Sequence, residues 1–192
     1  MNIEDIAPHS DISPKTLTAY ADVFRKAHER VPDGLSLEVG TRSGGSALMW
    51  LQLLDEMYST PPFLFTVDPY GTKPYMGYGM DYSDDRFVQM KHLLASYPNH
   101  AHFRLTSLDF LEGVAGRPFW VKAQERLITG FSFVFLDGDH SYAYVKKEIQ
   151  AVQRFMRDGA TILIDNADQP DVARLSKEYE GSVFVETGLV IA

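Results

Sequence analysis

A three-layer α/β sandwich, with a mostly parallel seven-stranded sheet and an antiparallel edge hairpin, is the fold this sequence predicts on three observations. Short apolar runs alternate with helical periodicities five times along the chain, the pattern of strands wound in parallel between helices. Two of those runs, FVFL at 133–136 and ILI at 162–164, have the continuous apolar character of strands buried on both faces. Residues 183–192 read as two short strands around Thr187 and Gly188, which supplies the hairpin.

Ser13 and Pro14 give an N-cap followed by proline at the first helical position, and Leu17, Tyr20, Ala21, Phe24 and Ala27 then mark a buried helical face. This N-terminal helical segment, 1–33, precedes a first strand at 35–40, a turn at 41–46 and a helix from 47 to 58. Prolines at 61 and 62 end that helix, and a second strand follows at 63–67. The connection 71–84 is longer than such folds need and mixes Gly71, Gly77 and Gly79 with Tyr75, Tyr78 and Tyr82, which predicts a lid. A helix at 85–97, a third strand at 102–105 and a helix over 110–127, interrupted at 116–118, come next.

The centre of the chain is the unit from 131 to 166. A strand at 131–136 ends in DGDH at 137–140, and Ser141 caps a helix that carries Tyr144, Val145, Ile149, Val152, Phe155 and Met156 at helical spacing. The helix stops at Asp158 and Gly159, and a strand at 160–164 ends in Asp165 and Asn166. A crossover of this kind makes its two strands parallel and neighbouring, so both polar tips lie side by side at carboxyl ends, where open parallel sheets bind ligands. A helix at 169–179 leads to the final hairpin.

With 192 residues, 45% of them hydrophobic, the chain has enough apolar surface for one domain with a full core. A formal net charge of -8 argues against a partner that presents phosphates, such as nucleic acid. The absence of cysteine excludes disulfides and thiolate-bound zinc. No apolar run approaches the ~20 residues of a membrane span, and the acidic start has no signal-peptide core, so a soluble cytoplasmic protein is expected.

Three motifs carry chemistry. In EVGTRSGGS at 38–46, Gly40 permits a tight turn, Gly44 and Gly45 let a ligand approach the backbone, and Ser46 offers a hydroxyl beside helix N–H groups. Arg42 stands where a dinucleotide fingerprint has its second glycine, and the spacing around Ser43 is not that of a nucleophile elbow. Asp68 ends the second strand, where an acid can accept both hydroxyls of a ribose. Asp137, Asp139, His140, Asp165 and Asn166 gather oxygen donors suited to a hard cation such as Mg²⁺. An EF-hand loop is excluded because Tyr142 occupies the glycine position, while Asp139, His140 and Ser141 can equally serve as helix caps. His9, His28, His92, His100 and His102 lack ligand spacing and read as surface or helix residues.

LEVGTRSGGS at 37–46, TVDP at 66–69, FVFLDGDHSY at 133–142 and ILIDN at 162–166 together resemble class I S-adenosylmethionine-dependent methyltransferases, in the order that family uses. More narrowly, the set is similar to small-molecule O-methyltransferases, of the catechol and caffeoyl-CoA type in the glycine turn and DN tip, and of the macrolide-sugar type in DxxH. The resemblance implies a Rossmann-like sandwich in which Glu38, Gly40, Thr41 and Ser46 hold the methionine moiety of the cofactor and Asp68 its ribose. Ser107, Leu108 and Asp109 would line the adenine edge. Asp137, which also faces the cofactor, would bind Mg²⁺ or another divalent cation with Asp165 and Asn166, and His140 matches a general base.

A metal-assisted O-methyltransferase acting on a small-molecule hydroxyl, sugar or phenolic, is therefore the expected function, with no membrane or nucleic-acid partner and room for a homo-oligomer. Two rivals share features with it: an NAD-binding oxidoreductase, which shares the fold and the acid after the second strand, and a non-catalytic binding protein on a methyltransferase scaffold.

Overall fold

Seven strands form one sheet in the order β3-β2-β1-β6-β7-β9-β8. They are β1 (Leu35–Val39), β2 (Leu64–Val67), β3 (His100–Phe103), β6 (Phe131–Leu136), β7 (Met156–Ile164), β8 (Val183–Val185) and β9 (Gly188–Ile191). The first five run parallel, and β9 pairs antiparallel with both β7 and β8. The computed structural model describes residues 1–71, 84–115, 119–121, 126–128 and 130–192; the expected lid, 71–84, lies almost wholly outside the described residues.

From β1 the chain winds outward through β2 to β3, then returns to place β6 on the other side of β1. The strand order reverses between β1 and β6, and a crevice opens there beyond their carboxyl ends. Both strands are buried along their whole length, as their apolar runs require.

Alternate strand residues feed two apolar layers. On one side Leu37, Val39, Val134, Leu136 and Ile164 pack against Phe110 of α5 (Ser107–Gly113), Val145, Ile149 and Val152 of α6 (Tyr142–Val152) and Val172 of α7 (Pro170–Leu175). On the other, Leu64, Phe133, Phe135 and Leu163 meet α1 (Ile3–Ile6), α2 (Pro14–Arg30), α3 (Gly45–Met57) and α4 (Asp84–Leu93). Trp50 lies at the heart of this second layer, stacked on Phe24 with ring centroids 5.0 Å apart. Ser13 caps α2 as expected, accepting from the Thr16 N–H at 3.2 Å.

Five expectations are corrected. The helix over 110–127 stops at Gly113, and β4 (Phe119–Val121) with β5 (Arg126–Ile128) forms a separate antiparallel hairpin. Phe, Trp and Val favour strands, and a proline just before them cannot continue a helix. Strand β3 begins two residues earlier than expected, which sets His100 and His102 on either side of the Thr66 hydroxyl, at 2.8 and 2.9 Å. Strand β7 starts at Met156 because its register with β6 jumps from the Phe131–Met156 pair to Phe133–Thr161 across Gly159, whose φ is +78°. Helices α4 and α7 end at Leu93 and Leu175, short of 97 and 179. A short helix, α1, precedes the predicted N-cap, and Ile6 anchors it in the core.

Candidate active site

Gly40 holds the site together. It has φ +86°, and a Cβ there would sit 2.1 Å from the carbonyl oxygen of Asp137, so the end of β1 lies directly against the end of β6. Only glycine fits both the conformation and the contact. Gly40 and Gly138 line two spaces, one on either side of this junction.

Toward α5 and α6 lies a small cavity of about 30 Å³, bordered by Val67, Asp68, Ser107, Asp139, Tyr144 and Glu148. Asp68 is buried at the end of β2 and accepts backbone N–H groups from Arg42 and Tyr70, each at 3.0 Å. Burial raises its pKa, while these N–H donors oppose the rise. Ser107 lies 3.3 Å from the Tyr144 hydroxyl. Asp109 lies on the exposed side of α5, where its carboxylate accepts from the hydroxyl of the N-cap Thr106 at 2.6 Å. Leu108 is absent from the cavity lining.

Toward the N-terminal segment opens a cleft of about 590 Å³, lined by His9, Asp11, Thr41, Asp137, His140 and Asp165 among others. The βαβ unit does bring the two tips together. The charge of Asp165 reaches Asp137, whose pKa is pushed up to about 7, first by burial and with the neighbouring carboxylate adding to it. His140 Nε2 stands 3.5 Å from Asp137 Oδ1, an ion-pair separation without hydrogen-bond geometry. Burial pulls the imidazole pKa down, but Asp137 and then Asp165 and Asp139 outweigh it, and the net shift is upward. Asp165 accepts from the Tyr20 hydroxyl at 2.5 Å and from Thr187 at 3.2 Å, both on Oδ1. Asn166 follows in the left-handed region at φ 57°, half-buried in the same wall.

Glu38 and Ser46 lie beneath the glycine turn. Trp50 Nε1 donates to Glu38 Oε2 at 2.7 Å, whereas Glu38 Oε1 and the Thr41 hydroxyl are buried with no partner among the described residues. Glu38 is pushed well above the usual carboxylate range, by burial first and by Asp137 second, against the Ser46 and Trp50 hydrogen bonds. Orphaned polar atoms at a helix start beside a cleft fit a ligand that carries both donors and charge.

Two carboxylates forced together, with His140 as the one basic side chain within ion-pair reach of them among the described residues, form a donor set that a hard divalent cation would relieve. Asp165 keeps Oδ2 for it, and Asn166 adds a neutral oxygen. Among the described residues no group of three or more His, Asp or Glu is gathered at ligand spacing, so any such ion would rely on Asn166 and on water or substrate oxygens.

Some local expectations change. The approach at Gly45 is made by the protein itself: a Cβ there would sit 2.4 Å from the His9 carbonyl oxygen, and at Gly44 one would press on Met90 at 3.1 Å. Ser141 occupies the N-cap of α6 without a side-chain cap bond; Asp139 accepts its N–H at 2.6 Å, and Asp171 accepts that of Tyr142 at 3.2 Å. His28 is a helix residue of α2, as expected, and is buried between Ser36 and Tyr58; His100 and His102 belong instead to β3, where they are half-buried.

Several residues at the site escaped sequence reasoning. The loop after α1 supplies His9, Ser10 and Asp11 to the cleft wall, and Asp11 pairs with Arg42 of the glycine turn. Tyr20 and Thr187, their hydroxyls 3.2 Å apart, both hold Asp165 by its Oδ1. Glu148 is fully buried on α6, and its position between Val145 and Ile149 in an apolar stripe was the available signal.

Comparison with known proteins agrees with this architecture. A sequence profile described as a methyltransferase domain matches residues 37–167. No curated protein matches the chain. Among solved structures, the chain is similar to a Staphylococcus aureus protein proposed to be a caffeoyl-CoA O-methyltransferase, with TM-score 0.65, 13% identity, and coverage of 99% of this chain and 90% of that one. It is also similar to the O-methyltransferase TomG of Streptomyces achromogenes, involved in tomaymycin synthesis and solved with S-adenosylmethionine (TM-score 0.62, 16% identity, 95% and 80% coverage). A third likeness is the Bacillus cereus O-methyltransferase solved with S-adenosylhomocysteine (TM-score 0.63, 13% identity, 98% and 88% coverage). The profile spans more than half of the chain and includes β1, β6, β7 and both of their polar tips: the protein belongs to the methyltransferase domain family.

Proposed function

We propose that this protein transfers the methyl group of S-adenosylmethionine to a hydroxyl of a small molecule, a sugar or a phenol, with a divalent cation such as Mg²⁺ assisting. The observation that carries this is the pair of spaces meeting at Gly40 and Gly138, one bordered by Asp68 and Ser107, the other by Asp137, His140 and Asp165. A transfer reaction needs donor and acceptor on either side of one junction. Glu38, Thr41, Ser46, Asp68 and Ser107 are the residues placed to hold the cofactor, and Asp137, Asp165 and Asn166 those placed to hold the cation. The cofactor-bound forms of TomG and the B. cereus protein support the cofactor assignment.

When bound, the cofactor supplies an electrophilic methyl group and the cation lowers the pKa of a hydroxyl oriented beside it. His140 accepts the hydroxyl proton, and the Asp137 carboxylate, 3.5 Å away, stabilises the imidazolium that results. Bonds of this kind are long in empty sites and tighten around substrate. The wall made by residues 8–13 positions the acceptor and keeps water from the junction.

Calorimetry with S-adenosylhomocysteine and with NAD, together with methyl-transfer assays on phenolic and sugar acceptors with and without chelator, tests this. S-adenosylhomocysteine should bind and NAD should not; chelator should abolish turnover and leave the cofactor bound. Turnover undiminished by chelator would remove the cation from the reading, and NAD binding in place of S-adenosylhomocysteine would replace it with the oxidoreductase.

A further inference from the structure

Glu148 is the buried acid that this mechanism does not use. It is 1% exposed on α6, borders the small cavity, and both of its carboxyl oxygens lack a hydrogen-bond partner of good geometry among the described residues. Helix α6 needs no such residue, since positions 145, 149 and 152 beside it are apolar and buried. A buried carboxyl with only the Ser107 hydroxyl nearby, and no hydrogen bond of good geometry, costs stability, so its retention fits a ligand that completes it.

The space around it points the same way. Gly138 separates Glu148 from the Gly40 junction, and a Cβ there would press on Val39 at 3.1 Å and lie 3.9 Å from Glu148 Oε1. No positive φ accounts for a glycine at 138; its use is clearance from Val39, and it leaves Glu148 Oε1 within van der Waals distance of the junction. Asp68 stands at the mouth of the cavity, where a ribose would be held, and Ser107 and Tyr144 face each other beside Glu148. A nucleoside anchored by its ribose at Asp68 therefore carries its base toward Glu148.

We propose that Glu148 reads the base of the cofactor, its carboxyl group pairing with the amino group and adjacent ring nitrogen of adenine. This rests on the cofactor assignment above and adds the residue that selects the base. The pairing wants one donor and one acceptor. Burial supplies both by raising the Glu148 pKa to about 8, with the charge of Asp139 adding to the shift and the nearby Ser107 hydroxyl opposing it, so the neutral acid prevails at pH 7. A site with a buried polar pair rejects a ligand that leaves the pair unmatched.

Binding of S-adenosylhomocysteine and of its purine analogue lacking the 6-amino group, measured by calorimetry on wild type, Glu148→Leu and Glu148→Gln, tests the proposal. Wild type should prefer S-adenosylhomocysteine by about tenfold or more. Glu148→Leu should lose that preference while its melting temperature holds or rises, because an unpaired buried carboxyl has been removed. Glu148→Gln, which keeps one donor and one acceptor, should retain most of it. A wild type that binds both ligands equally, or a leucine variant that still discriminates, would overturn the role of Glu148 and leave the cofactor assignment standing. A wild type that binds neither ligand would overturn both.

Discussion

The two spaces that meet at Gly40 differ in size and in what closes them. The space proposed for adenosine is small, walled by the chain ends at Gly40, Asp68, Gly138 and Asp139 and by side chains of β1, β2, α5 and α6, with Asp68 held by backbone N–H bonds. The cleft proposed for the acceptor is some twenty times larger, and one of its walls is the segment 8–13, a 3-10 turn ending at His9 followed by loop. Rigid elements suit a ligand that does not vary, and loops on a rigid scaffold suit one that does. On the proposed reading, the constant part of the chemistry belongs to the small side and the specificity for acceptor to the wide one.

Three experiments break or sharpen that division. The largest effect belongs to His140→Ala: turnover should fall by ~10²–10⁴, with partial recovery at higher pH, while affinity for S-adenosylhomocysteine stays within about twofold of wild type. Steady-state kinetics beside calorimetry would show it, and a matching loss of cofactor affinity would mean that the two sides are not separable. Asp68→Ala should act in the opposite sense. It loses charge-assisted hydrogen bonds worth ~1.5–3 kcal/mol each, so cofactor affinity should drop at least about tenfold, with little change in the acceptor KM. Unchanged affinity in a folded variant would remove the ribose role.

The smallest effect comes from a buried group in neither space and calibrates the others. Burial lowers the His28 pKa to about 4, with Asp33 opposing. Its folded pKa thus lies below the unfolded value of ~6.5, and the unfolded chain takes up the proton first as pH falls. The associated stability is complete above pH ~6.5 and is lost between ~6.5 and 4; from pH 7 to 5.5 the loss is about 1 kcal/mol. Denaturation across this range should show the slope, and His28→Gln should reduce it. The lowered pKa values of His100 and His102 leave a residual slope of the same sign.

The parallel core was legible because its signals are local. Apolar runs, a proline at a first helical position and glycine turns each point to one backbone state, and the crossover rule then places the tips of β6 and β7 together. Gly40 was recognised as a turn residue, although the carbonyl of Asp137 it must clear is almost a hundred positions away and no local pattern reports it. The hairpin Phe119–Val121 with Arg126–Ile128 was not legible because the break at 116–118 reads as an interruption within one helix, whereas α5 ends at Gly113 and strands follow. Glu148 enters the sequence reading only as the last position of the rejected EF-hand pattern; its neighbours in the stripe, Val145 and Ile149, show that this face is buried. The walls from residues 8–13 and from Thr187 depend on how far-apart segments pack, which propensity does not encode.

The Tyr20–Asp165–Thr187 contact also sets an order of events during synthesis. Tyr20 and Thr187 are 167 positions apart, and at ribosomal speeds of ~5–20 residues per second Tyr20 waits roughly 10–30 s for both partners to appear. Helix α2 can form at once, but the hydroxyl it carries has no acceptor until β7 and the turn before β9 have emerged. The wall around Asp165 is therefore the last part of the cleft to be completed, and a nascent chain halted before Thr187 holds β1, β2, β3, β6 and β7 but lacks β9, which leaves the edge of β7 unpaired.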